Sequence, residues 1–167
     1  IHSGDSMAVY PPQSLSNSVQ EAMVNDATEL AHALGTVGIM NVQFVIHKDT
    51  PYVIEVNPRA SRTVPFISKV AHVPMTQLAT RAMLGESLAA LGYHSGLVKP
   101  DTAIHVKAPV FSFTKLPGVD PLVGPEMKST GEVMGSASSF PEAIAKAFAG
   151  AKLTMPPTGT VLLNSDP

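Results

Sequence analysis

Two runs of β-branched and aromatic residues, 38–46 and 52–57, constrain the fold of this 167-residue chain most strongly. Side chains of these types favour strands, and the polar stretch 47–51 between the runs is typical of a hairpin loop. We therefore predict that the two runs form neighbouring antiparallel strands.

Three oxygen-bearing side chains are predicted to meet on one face of this hairpin. If the turn is centred on Asp49, Gln43 lies opposite Glu55, because antiparallel strands pair symmetrically about their turn. Asn57 is two residues beyond Glu55 and therefore shares its face. Carboxylate and amide oxygens are the ligands that a hard cation such as Mg²⁺ prefers. A metal held there would bridge the phosphates of ATP.

Two arginines, Arg59 and Arg62, follow the second strand of the hairpin. Guanidinium groups make bidentate contacts with phosphate and carboxylate oxygens, so they suit a reaction that transfers a phosphoryl group. The alternative is that the polar patch is an ordinary solvated strand face and that both arginines are surface charges. Spacing alone leaves both interpretations open.

The rest of the chain mixes helices with strands. Residues 18–21 have the spacing of a capping box, and glycines are placed to end two of the helices. Helices are predicted over 22–34, after Pro65 to about residue 71, and over 74–84, 87–91 and 140–150. Strands are predicted over 103–110 and 131–135, and a loop over 116–125. This order predicts an α+β fold class with a mainly antiparallel sheet and flanking helices.

Composition excludes several kinds of site and partner. A net charge of -2, with no cluster of Lys or Arg, makes nucleic acid an unexpected partner. The absence of cysteine excludes disulfides and thiolate-bound metals. No apolar run approaches the roughly 20 residues of a membrane helix, so no membrane is expected. The histidines after His2 show no metal-ligand spacing and are expected to be surface or packing residues.

Several short motifs are shared with a known family. They are Asn41-Val-Gln-Phe44, Ile54-Glu-Val-Asn-Pro-Arg59 and Ser61-Arg-Thr63 around the hairpin, His2-Ser-Gly-Asp-Ser6 at the start, and Pro117-Gly-Val-Asp-Pro121 with the segment 124–135. Together they resemble the large subunit of carbamoyl phosphate synthetases, from the first residue to about residue 150. The hairpin resembles the family's metal-binding hairpin, and the start resembles its adenosine-binding edge.

The resemblance implies roles for individual residues. Gln43, Glu55 and Asn57 would bind metal. The nucleotide contacts would be Ile1, His2, Ser3, Gln43 and Glu55. The candidate catalytic residues are Arg59 and Arg62, which would stabilise charge on the transferred phosphoryl group.

The resemblance also implies a reaction. The chain would be the C-terminal portion of an ATP-grasp domain in a glutamine-dependent ligase that uses ATP, with Mg²⁺ or Mn²⁺ and K⁺ as a further candidate cofactor, to phosphorylate carbamate. Bicarbonate would be the substrate of the other half of that subunit, but Thr63-Val-Pro-Phe66 and the tail 159–163 resemble the carbamate-phosphorylating half. A glutaminase small subunit would supply ammonia in a cytoplasmic hetero-oligomer that serves arginine and pyrimidine biosynthesis.

The chain is expected to be a piece of a longer subunit. Residues 1–152 are predicted to be the C-terminal part of an ATP-grasp domain, and residues 153–167 a linker and the first strand of a truncated regulatory domain. An ATP-grasp site is built between two subdomains, so the chain alone is expected to be inactive. Two alternatives remain. One is a biotin-carboxylase-like ATP-grasp enzyme, which is disfavoured because such enzymes resemble this chain little outside the hairpin, and the other is a noncatalytic interaction module.

Overall fold

The computed structural model describes residues 5–115, 118, 120, 126–153 and 158–160. Its elements are β1 (Ala8–Tyr10), α1 (Asn17–Ala33), β2 (Asn41–His47), β3 (Thr50–Asn57), α2 (Thr63–Val70), α3 (Met75–Met83), β4 (Ile104–Val110), β5 (Gly131–Ala137) and α4 (Phe140–Gly150). Strands β1, β4 and β5 form one sheet in the order β1-β4-β5, and β2 and β3 form a separate antiparallel pair. None of the helices in the described residues is long and apolar enough to cross a membrane.

The chain divides into two compact units. One comprises Val9–His105, and the other comprises Ile1–Ala8 with Val106–Pro167. The predicted boundary between residues 152 and 153 falls in a tail of which only a few positions are described, so that division into domains stays a prediction.

In the unit that contains β5 and α4, the core is built from small side chains. Ala143 and Ala147, one turn apart on α4, are fully buried. Gly135 of β5 faces them so closely that a Cβ atom on this glycine would lie 2.2 Å from the carbonyl oxygen of Ala143. Strand β4 is buried almost continuously, as expected of a strand inside a sheet rather than at its edge.

In the unit 9–105, α2 contributes most of the buried apolar side chains. Val64, Phe66 and Val70 are buried on this helix, with Ala79 of α3 and Val19 of α1 buried as well. Helix α2 begins two residues before Pro65, whereas the sequence predicted a start after that proline. A proline in the first turn is compatible with a helix because the N–H it lacks has no intrahelical acceptor there.

Several predicted boundaries differ from those of the structure. The cap of α1 is Ser16, whose hydroxyl accepts from the N–H of Val19 at 3.4 Å, so the predicted capping box at residues 18–21 is wrong. Residues 87–91 form hydrogen-bonded turns rather than the predicted helix. The glycines after α1 and α3 do end these helices in a left-handed conformation, with φ 59° at Gly35 and 96° at Gly85. The predicted loop 116–125 lies largely outside the described residues, as does the strand predicted within residues 153–167.

Candidate functional site

The hairpin that carries the predicted site is tighter than the sequence indicated. Strands β2 and β3 are joined by the two residues Lys48 and Asp49 rather than by a five-residue loop. Both have positive φ, 49° and 58°, as a two-residue turn of the type I′ class requires. The turn is therefore centred between these residues and not on Asp49.

A β-bulge brings Glu55 opposite Gln43. From the turn, the strands pair His47 with Thr50 and Phe44 with Val53, and this register would place Gln43 opposite Ile54. The register shifts between Gln43 and Phe44, so Gln43 instead pairs with Glu55. Bulges of this kind redirect side chains and are frequent beside functional sites. The predicted pairing is confirmed, but through a shorter turn and a bulge that the sequence analysis did not include.

The three predicted oxygen-bearing side chains converge on a single carboxylate oxygen. Oε1 of Glu55 accepts from Nε2 of Gln43 at 2.7 Å and from Nδ2 of Asn57 at 2.9 Å. Glu55 is exposed, while Gln43 and Asn57 are half-buried. The carboxylate of Glu55 is therefore open to solvent, while the amides of Gln43 and Asn57 fix its orientation.

The chemistry of this trio fits a hard divalent cation. Rotating each terminal amide by about 180° would exchange its nitrogen for its oxygen and present three oxygens, one of them charged, on one face. A magnesium ion commonly uses one or two carboxylates and completes its shell with water and phosphates. Within the described part of the chain, no three His, Cys, Asp or Glu residues are grouped as metal ligands. A metal here would therefore depend on Glu55 and the two amides.

The two predicted arginines lie just beyond β3. The backbone N–H of Arg59 donates to the carbonyl oxygen of Asn57 at 2.8 Å. This hydrogen bond turns the chain directly after Asn57, one of the candidate metal ligands. The guanidinium of Arg59 donates to the carbonyl oxygen of Ala60 at 3.1 Å, and Arg62 immediately precedes α2 as its capping residue. Both side chains are exposed, so both are accessible to an anionic ligand.

The face of β2 opposite Gln43 is apolar. It borders a cavity of about 420 Å³ whose lining includes Tyr10, Leu15, Met23, Val24, Val42 and Phe44. Because side chains alternate along a strand, Gln43 points away from this cavity. The predicted site therefore lies on the face of β2 that is turned away from this cavity.

Asp101 forms a second polar cluster in the same unit. Its carboxylate lies 3.1 Å from Nε2 of His105, which is buried, and 3.7 Å from Nε2 of the exposed His72. The hydrogen bond with His105, and then the one donated by the N–H of Ala103, hold the pKa of Asp101 below its ordinary value. The stability that these contacts contribute is present above the ordinary aspartate pKa and is lost as the pH falls through the lowered value.

The structure adds polar residues that the sequence analysis did not assign to any role. Asp5 and Lys107 are both buried, and each is paired with groups far away in the sequence. In the sequence, the position of Lys107 within the largely apolar strand β4 was the signal that could have predicted a buried ion pair. The predicted nucleotide contacts Ile1, His2 and Ser3 lie outside the described residues.

Comparison with known protein families identifies a matching family model. The family model described as "Carbamoyl-phosphate synthase L chain, ATP binding domain" matches residues 1–91. The matched segment contains the hairpin, both arginines and all three residues of the carboxylate–amide trio.

Comparison with solved structures shows the fold. The chain is similar to the biotin carboxylase domain of a single-chain bacterial carboxylase, with a TM-score of 0.58 and 22% identity over 64% of this chain and 26% of that one. It is also similar to N5-carboxyaminoimidazole ribonucleotide synthetase from Thermus thermophilus, with a TM-score of 0.61 and 17% identity over 92% and 44% of the two chains. The chain is similar as well to L-amino acid ligase from Bacillus licheniformis, with a TM-score of 0.60 and 19% identity over 87% of this chain and 41% of that one.

These likenesses confirm the predicted fold class, an α+β portion of an ATP-grasp domain with antiparallel strands and flanking helices. The chain spans less than half the length of each of these three proteins.

Proposed function

We propose a function from one premise: the chain belongs to the carbamoyl-phosphate synthase L chain, ATP binding domain family. On this premise it supplies part of the ATP site of a ligase that activates a carboxylated substrate by phosphorylation. The specific proposal is a glutamine-dependent carbamoyl phosphate synthetase in which this chain serves the phosphorylation of carbamate by ATP.

The convergence of Gln43, Glu55 and Asn57 carries this proposal. The bulge at Ile54 directs the Glu55 carboxylate toward the two amides, which fix it through hydrogen bonds of 2.7 and 2.9 Å. A solvated strand face has no need of such an arrangement, since exposed carboxylates are satisfied by water. With both amides rotated, the trio would present three oxygens on one face near two exposed arginines, which suits a metal–nucleotide complex.

In the proposed reaction, an oxygen of carbamate forms a bond to the γ-phosphorus of ATP while the bond from that phosphorus to the bridging oxygen of ADP breaks. The products are carbamoyl phosphate and ADP. Gln43, Glu55 and Asn57 would hold Mg²⁺ or Mn²⁺, which when bound neutralises phosphate charge. Arg59 and Arg62 would donate to oxygens on which negative charge accumulates during the transfer.

The remaining expectations of the resemblance belong to the same proposal. Ile1, His2 and Ser3 contact the nucleotide together with Gln43 and Glu55, and K⁺ is a further candidate cofactor. A glutaminase small subunit supplies ammonia within a cytoplasmic hetero-oligomer, and a regulatory domain begins after residue 152. The product serves arginine and pyrimidine biosynthesis.

A second candidate is a biotin-carboxylase-like enzyme. It is favoured by the likeness to the biotin carboxylase domain, which extends over 64% of this chain and is therefore not confined to the hairpin. In that case the same trio and arginines would serve the ATP-dependent activation of bicarbonate, with biotin as the carboxyl acceptor.

The forward reaction distinguishes these candidates in the full-length protein that contains this chain. A carbamate-phosphorylating enzyme is expected to form carbamoyl phosphate from ATP, Mg²⁺, bicarbonate and ammonia without biotin. A biotin carboxylase is instead expected to transfer a carboxyl group from bicarbonate to added biotin with hydrolysis of ATP, and to form no carbamoyl phosphate from ammonia. Carbamoyl phosphate formation supports the first proposal, whereas carboxylation of biotin without it supports the second. A protein that shows neither activity contradicts both and supports a noncatalytic interaction module.

A further inference from the structure

The cavity of about 420 Å³ between α1 and β2 has no part in the proposed function. All residues that line it belong to the unit that contains these two elements. On one side are Met23, Val24 and Ala27, which lie on one face of α1. On the other side are Val42 and Phe44, which are two residues apart on β2 and therefore share a face. The cavity is thus apolar on both sides.

The apolar lining of this cavity favours an apolar ligand over water. An ordered water needs several polar partners, whereas apolar cavities bind apolar molecules. The volume also lies within the range of small-molecule sites, which is roughly 300–1,000 Å³. Two further lining residues, Leu97 and Val98, are 69% and 44% exposed. A ligand seated here would therefore remove large apolar side chains from contact with water, which is favourable.

A second cavity, of about 460 Å³, adjoins the first. The residues that line both cavities are Gln20, Val24 and Leu97. Nε2 of Gln20 donates to the carbonyl oxygen of Leu15 at 3.0 Å, which fixes the orientation of this side chain where the cavities adjoin. Both cavities belong to the same compact unit, so their relative position is set by the packing within that unit.

The second cavity is polar along α1. Asn17, Glu21 and Asn25 line it, and their spacing of four residues places them in one row on the helix. Glu21 is the only charged residue among the described residues that line either cavity. Carboxylate and amide oxygens accept hydrogen bonds, and an ammonium group donates three. The row therefore suits a cationic head group, while the carboxylate repels an anionic one.

We propose that the two adjoining cavities bind a small molecule that joins an apolar body to a primary ammonium group. The body lies between Met23 and Phe44, and the ammonium group lies beside Glu21. This site is independent of the proposed nucleotide site, because Gln43 points away from the cavity that Phe44 lines.

Saturation-transfer NMR of 4-phenylbutylamine with the full-length protein tests this proposal. We expect the amine to bind with a Kd of about 1 mM or below, which is reasonable for a ligand of this size. 4-Phenylbutyric acid has the same apolar body with a negative head group, so we expect it to bind at least about fivefold more weakly. Absence of amine binding, or equal binding of the amine and the acid, overturns the proposal. Displacement of the amine by saturating Mg²⁺–ATP also overturns it, since the amine would then occupy the nucleotide site.

The variant Glu21→Gln tests the place of the ammonium group. Glu21 is exposed, so the substitution removes the charge without disturbing the core, and we expect the Kd of the amine to rise about threefold or more. Glu29→Gln is the matched control, because Glu29 is two turns further along α1 and is not among the residues that line either cavity. An unchanged Kd in Glu21→Gln, or an equal rise in both variants, contradicts the assigned site.

The variant Ala27→Leu tests the place of the apolar body. The larger side chain occupies part of the first cavity, and leucine favours helix, so we expect at least about tenfold weaker amine binding and no loss of thermal stability. Thr28→Leu, at the next and exposed position of α1, is expected to leave the Kd unchanged. A folded Ala27→Leu variant that binds the amine as tightly as wild type overturns the proposal. If Ala27→Leu does not fold, the comparison of Glu21→Gln with Glu29→Gln decides.

Discussion

Replacing Glu132 by alanine is expected to lower the free energy of unfolding by about 3–5 kcal/mol. Nζ of Lys107 lies 2.9 Å from Oε1 of Glu132, and the lysine side chain is 2% exposed. Removing the glutamate leaves a buried ammonium without its partner, and an uncompensated buried charge is much more costly than the loss of a pair at the surface. Urea unfolding followed by circular dichroism measures the difference.

The exposed pair between Lys146 and Glu142 provides a control for this prediction. Its two side chains are 53% and 51% exposed at a distance of 3.0 Å, so Glu142→Ala is expected to change stability by less than about 1 kcal/mol. The double variant Lys107→Met, Glu132→Leu is expected to recover most of the loss, because an apolar pair can replace a buried ion pair of similar volume. Equal losses for Glu132→Ala and Glu142→Ala would contradict the assignment of a buried pair.

Gly135→Ala is expected to destabilise the protein by an amount on the order of 3 kcal/mol. The added Cβ would lie 2.2 Å from the carbonyl oxygen of Ala143 and 2.4 Å from the backbone nitrogen of Ala147. These are backbone atoms of α4, so they cannot move away by changing a rotamer. The helix must separate from β5, and the burial of Ala143 and Ala147 is lost with it.

Gly131→Ala is the matched control for Gly135→Ala. Gly131 is the first residue of the same strand, and a Cβ there would meet no atom within 4 Å. We expect the free energy of unfolding of Gly131→Ala to stay within about 0.5 kcal/mol of wild type. If both alanine variants unfold at the same urea concentration, close packing between β5 and α4 does not explain the need for glycine at position 135.

The hairpin shows how far the sequence could predict the site. The residue types predicted two strands and the convergence of Gln43, Glu55 and Asn57, and the structure confirms both. The predicted turn was too long, because Lys48 and Asp49 adopt positive φ in place of a longer loop. A shorter turn alone would have placed Ile54 opposite Gln43, and the bulge restores the pairing with Glu55. The spacing of the residues does not show whether Gln43 pairs with Glu55 through a longer loop or through a two-residue turn followed by a bulge.

The buried polar contacts show what the sequence could not predict. Asp5 accepts from Lys128 and Ser129, which lie far along the chain, and local patterns contain no information on such partners. Lys107 stands in an apolar strand, which signals that a partner exists but not that it is Glu132 on the neighbouring strand. The pairing of Lys107 with Glu132 follows from the sheet order β1-β4-β5, which only the structure provides.

The central claim is that Glu55 binds a metal–nucleotide complex, and calorimetric titration of Mg²⁺–ATP into the full-length protein tests it most directly. Glu55→Gln is the decisive variant, because its carbonyl oxygen can still accept from Gln43 and Asn57 while the negative charge is removed. Glu86→Gln, on an exposed carboxylate bound to Arg81, is the control. We predict that Glu55→Gln weakens Mg²⁺-dependent ATP binding at least about tenfold and that Glu86→Gln leaves it unchanged. Equal affinity of wild type and a folded Glu55→Gln variant would contradict the claim and identify the trio as a solvated strand face.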